Sequence, residues 1–146
     1  MAKYDDFQNV HSLAGLAGGA VGVTTGTALD TKGMEQCTVI VQIGVMIATS
    51  TLDIKIEDSA DNSAWADLAG AVFAQVPDTG DNTVLVGKIK CNRDSGTPVR
   101  RYLRVSGTVG TAVAEYGALL IGSNLSGHIP YVTNAMPAAE FDIGNP

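Results

Sequence analysis

The side chains able to do chemistry in this chain are few and scattered. Its two histidines, His11 and His128, lie far apart, and neither has a second His or a Cys at ligand spacing, so no zinc or iron site is expected. The two cysteines, Cys37 and Cys91, each sit in or at the end of an apolar, strand-like run, where a thiol acts as a small buried hydrophobe. They form no zinc pattern, have no neighbour that would activate a thiolate, and a reducing cytosol argues against a bridge between them. Gly87-Lys88 has the look of the end of a phosphate loop, but Asn82 stands where its first glycine is required and Ile89 where Ser or Thr is required. Gly15-x-x-Gly18-Gly19-x-x-Gly22 follows no strand and has the wrong spacing for a dinucleotide fingerprint. No Gly-x-Ser-x-Gly elbow is present. The acidic run Glu57-Asp-Ser-Ala-Asp-Asn62 is the best metal candidate, yet it lacks the central glycine of a calcium loop. It reads better as a turn in which Asp and Asn bond their own backbone, with calcium a minor alternative. No catalytic residue, cofactor or metal is expected, and the chain is read as non-enzymatic.

Cations are the next candidates. Six of the nine basic residues, Lys88, Lys90, Arg93, Arg100, Arg101 and Arg104, fall in one stretch where Asp94 is the only acid. One account is a solvated hairpin face whose cations pair across strands with carboxylates such as Asp53 and Glu57. The other is a patch that docks an acidic partner surface, with Arg93, Arg100 and Arg101 as the docking cations. Nucleic acid is disfavoured as a partner, because the whole chain carries a formal net charge of -6 and the patch has little interleaved aromatic surface. Glycan binding would need exposed aromatic platforms. The single tryptophan, Trp65, lies between two alanines and is expected as a core plug over the end of the fold.

The elements that must position these residues are strands. In Cys37-Thr-Val-Ile-Val-Gln-Ile43 the residues Cys37, Val39, Val41 and Ile43 point one way, and Leu52-Asp-Ile-Lys-Ile-Glu57 alternates strictly. Further extended runs are predicted over 71–76, 83–91, 101–109 and 112–121, separated by turn-rich segments at 77–82 and 92–98. Residues 60–68 are expected to form one helical turn at most, and no stretch carries a helical stripe over three turns. Seven or eight short strands point to an all-β, antiparallel β-sandwich, jelly-roll-like in architecture.

The length of 146 residues is that of one domain with a sizeable core. Charged residues make up only 16%, which suits a protein whose surface is partly covered by partners. The Ala/Gly run from Leu13 to Val23 is too short and glycine-rich to span a bilayer, so no membrane association is expected, and the opening residues lack the pattern of a secretory signal, which points to the cytosol. The chain divides into an N-terminal arm (1–20), a sandwich domain (21–126) and a C-terminal arm (127–146).

Three segments together resemble the small virion proteins of tailed phages: Thr27-Ala-Leu-Asp-Thr-Lys-Gly33, Ile56-Glu-Asp-Ser-Ala-Asp-Asn-Ser-Ala-Trp-Ala-Asp67 and Arg101-Tyr-Leu-Arg-Val105. The resemblance implies a head decoration, or cement, protein, a β-sandwich bound outside the capsid with the major capsid protein as partner. It further implies a homo-oligomer, a dimer or trimer, made in the host cytoplasm and held on the virion exterior, with arms that reach neighbouring subunits. The alternative is a β-sandwich binding module of a phage tail or spike, directed at a glycan or a host surface.

Overall fold

The computed structural model describes residues 9–11, 19–91 and 99–125. Along the chain run β1 (Asn9–His11), β2 (Gly22–Thr25), β3 (Leu29–Asp30), β4 (Met34–Met46), β5 (Thr51–Ser59), β6 (Ala66–Val72), β7 (Val76–Pro77), β8 (Val84–Lys90), β9 (Tyr102–Gly110) and β10 (Ala114–Leu125), with a single 3-10 turn at Asp78–Gly80. All pairing among them is antiparallel. One sheet has the order β1-β10-β4-β8; the other has β2-β9-β5-β6, with β3 also on β9 and β7 also on β5. The expected all-β, antiparallel sandwich is therefore the observed architecture.

Alternation decides which face of each strand enters the core. Cys37, Val39, Val41 and Ile43 of β4 are almost fully buried, as are Leu52, Ile54 and Ile56 of β5. Leu103, Val105 and Val109 of β9 and Tyr116, Ala118 and Leu120 of β10 complete the facing layers. Asp53, Lys55 and Glu57 lie on the opposite face of β5, as the period of two requires. The chain crosses between sheets at each of the links β4–β5, β8–β9 and β9–β10. The two layers are thus stitched together along their length.

One close approach ties the layers at their centre. Tyr116 reaches across from β10 and sets its hydroxyl against the backbone of Gly107 on β9, where any Cβ would collide with the phenol. Glycine is required there by space, since its φ is not left-handed.

Two expectations are corrected. Residues 66–72 form strand β6, so the helical turn expected over 60–68 is absent: 60–64 is a bend, and Ala66-Asp67-Leu68 already alternates, with Leu68 buried between exposed neighbours. The strand predicted over 71–76 breaks after Val72, because Phe73 turns its N–H to the carbonyl of Ile54 and the pairing with β5 resumes only at β7. As for the arms, residues 1–8, 12–18 and 126–146 lie outside the described residues, and Asn9–His11 pair with Leu120–Gly122 of β10.

Both cysteines are free and buried. Burial, and then the neighbouring charge of Cys91, pushes the Cys37 thiol up to about 12, and burial pushes Cys91 up to about 11. Each is thus held protonated in the folded state, and both are expected to resist a thiol reagent at pH 8 until the chain is unfolded. A raised folded pKa means stability is intact below the unfolded thiol value near 9 and falls as pH climbs towards 12. Thermal melts across that range should show this slope, flattened in Cys37→Ala. Gly107→Ala should lower stability by about 1–3 kcal/mol through overpacking, measured as a shift of the urea midpoint.

Candidate interaction edge

The outer face of the β5–β9 sheet carries a polar cluster assembled from cross-strand neighbours. Glu57 stands directly opposite Arg104, and one carboxylate oxygen, Oε2, accepts from Nε and lies at 2.7 Å from Nη2 as well. On its other side Glu57 lies 3.4 Å from Lys55 Nζ, which also donates to Asp67 of β6 at 2.6 Å. The guanidinium of Arg104 lies 4.2 Å from the centroid of the Trp65 ring, within range of a cation–π attraction. Trp65 is therefore not the expected core plug. It sits half-buried on the outside of the sheet, because the bend before β6 delivers it to the face opposite Leu68.

That bend is built by Asp61. Its Oδ1 accepts from the N–H groups of Ser63 and Ala64 at 2.9 and 3.0 Å and from the Ser59 hydroxyl at 3.0 Å. These donors hold the carboxyl well below the usual carboxylate range. The acidic run is thus a self-bonded turn, and no group of three His, Cys, Asp or Glu among the described residues could hold a metal ion.

The basic stretch resolves into two groups on different sheets. Arg101 makes a two-pronged pair with Asp30, Nε to Oδ1 at 2.9 Å and Nη2 to Oδ2 at 2.7 Å, which holds the Asp30 carboxyl below its ordinary value. Arg100 donates its backbone N–H to the buried Asp58 at 3.0 Å, with its Nε 3.8 Å from the same carboxylate. So two of the three expected docking cations, Arg100 and Arg101, stand beside carboxylates of their own chain; Arg93 lies outside the described residues. Lys88 and Lys90 belong instead to β8. Both are exposed and make no ion pair among the described residues.

Strand β8 pairs with β4 on one side only among the described residues. Beside its open edge runs a groove of about 300 Å³ between the two sheets, walled by Leu68–Phe73 and Gly87–Lys90, with Val39, Ile56 and Val99 at its base. The β6 wall bulges: Glu57 pairs with Asp67 but Lys55 already pairs with Val72, and Gly70 takes up the slack at a φ of 79°. A bulge of this kind blunts an edge. β8 has no such break, and its register with β4 is continuous over Val84–Lys90. Its solvent side shows Val84 and Val86, 58% and 59% exposed. Sequence reading placed Lys88 and Lys90 correctly in a strand but missed the groove, because misplacing β6 removed one of its walls.

Arg104→Gln should lower stability by about 1–3 kcal/mol, since it leaves Glu57 without its charged partner in a mostly buried position. The same variant should shift the emission of Trp65, the only tryptophan. Arg101→Ala, at an exposed pair, should cost less than about 1 kcal/mol. Chemical melts read by fluorescence separate the two.

No protein-family model matches the chain, and no curated protein matches it in sequence. Among solved structures, the chain is similar in fold to PBSX exported protein XepA, with a TM-score of 0.57 at 12% sequence identity. The match covers 97% of this chain and 46% of that one, so this chain spans about half the length of its structural neighbour.

Proposed function

We propose that this protein is a virion structural protein of a tailed phage that binds the outside of the capsid and stabilises the shell. The observation that carries this reading is the way the three resemblance segments meet in space. Asp30 of the first pairs with Arg101 of the third, and Glu57 and Trp65 of the second both hold Arg104 of the third. Segments separated by tens of residues thus form one connected set of contacts on a single sheet. A resemblance spread over parts that cooperate physically is stronger support than the same letters scattered over unrelated loops. The fold shared with XepA adds an architecture compatible with the role.

A decoration protein needs a rigid body and repeated contacts rather than a reaction centre. Weak contacts multiplied over a lattice resist pressure through multivalency. The reading as a glycan-binding module turns on an open aromatic platform, and Trp65 has one ring face taken by Arg104.

The copy number in purified particles, measured by quantitative mass spectrometry against the major shell protein, tests the proposal. A number comparable to the shell protein's is expected. A small fraction of it would move the protein to the neck, tail or a spike, and absence from particles would overturn the reading.

A further inference from the structure

We propose that the open edge of β8 takes an extended segment from a second copy of this chain, residues Glu140–Ile143. The inference deepens the decoration reading, on which it rests for the presence of many neighbouring copies. Three features of the edge define its occupant. It must be a strand, because β8 offers unpaired backbone along Val84–Lys90 among the described residues. On the groove side it must place apolar side chains, to fill the space between Leu68, Phe73, Ile89 and Val99. On the solvent side it must be acidic, because Lys88 and Lys90 both point there and lack counter-charges among the described residues.

Glu140-Phe-Asp-Ile143 meets all three conditions. It is a short alternating run in a segment, 127–146, that otherwise alternates little and contains no Lys or Arg. Added beside β8 in either direction, a period of two sends Glu140 and Asp142 to the face of the lysines while Phe141 and Ile143 turn into the groove. A slip of one residue would reverse both assignments, so the register is specified by charge and apolarity together.

Connectivity favours a neighbouring copy as the donor. Strand β10 ends at the same end of its sheet as β8, since Ser123 and Lys90 both align with Gln36. That is also where the chain leaves β8 for the other sheet through residues 92–98. An arm of the same molecule would have to pass around that crossing, whereas one from a second copy approaches the open side directly.

Charge reversal in the full-length chain tests the proposal. Two variants are made, Lys88→Glu with Lys90→Glu, and Glu140→Lys with Asp142→Lys. The lysine substitutions fall on exposed sites, and unchanged circular dichroism and melting confirm folding of both variants. Analytical ultracentrifugation should show self-association of the unmodified chain, weakened roughly tenfold or more in each variant alone, where like charges now face each other. An equimolar mixture of the two variants should associate again, because each edge then meets an arm of opposite sign. Rescue in the chain carrying all four substitutions, without rescue in the mixture, would overturn the proposal in favour of an arm folding back on its own molecule. Association unaffected by either reversal, or an unmodified chain that stays monomeric, would overturn it outright. High copy number in particles with no rescue in the mixture would remove the exchange and leave the decoration reading standing. Rescue with absence from particles would do the reverse.

Discussion

The pairing of β5 with β9 is the constraint on which the rest of this structure depends. Nine consecutive residue pairs, from Thr51 opposite Gly110 to Ser59 opposite Tyr102, run without a break. One side of that ladder supplies Leu52, Ile54, Ile56, Leu103 and Val105 to the core. The other side brings Glu57 and Arg104 face to face. A one-residue slip would invert both faces at once, placing charges in the core and leucine in water. The hydrophobic layer and the ion-pair layer therefore specify the same register, and each protects the other against alternatives.

Arg104 shows how this constraint organises its surroundings. Its guanidinium satisfies the Glu57 carboxylate and lies over Trp65, so the bend that leads into β6 is anchored to the central ladder. Asp61 shapes that bend from within. Asp30 and Asp58 perform the same service for Arg101 and Arg100, fastening β3 and the entry to β9. The arginines of the basic stretch are absorbed in holding the fold, while the two lysines on β8 are left facing solvent. Arginine's planar fork suits fixed pairs, and lysine's compact, well-hydrated charge suits a surface that meets a partner.

The two lateral edges beside the groove are managed differently. On one wall the bulge around Gly70 interrupts the β6 backbone pattern. On the other, β8 keeps a regular ladder with exposed valines and unpaired lysines. An unbroken edge of this kind is a template for strand addition, and a protein that repeats over a lattice can use such a template instead of suppressing it.

The sequence by itself determined the fold class and the faces of the long strands. Cys37 to Ile43, Leu52 to Glu57 and Tyr102 to Val105 are legible because side chains alternate with a period of two wherever one face is dry, a local property that needs no knowledge of the partner strand. The turn at Asp61 was legible for the same reason, since its bonds close within a few residues. What only the tertiary structure decided is everything set by pairs distant in sequence: which strands share a sheet, that Arg101 finds Asp30 and Arg104 finds Glu57, and that Trp65 lies outside rather than in the core. Strand β6 escaped the reading because its bulge breaks the alternation that marks a strand. The groove escaped with it, because its walls come from β6 and β8, which belong to different sheets and meet only when the sandwich closes.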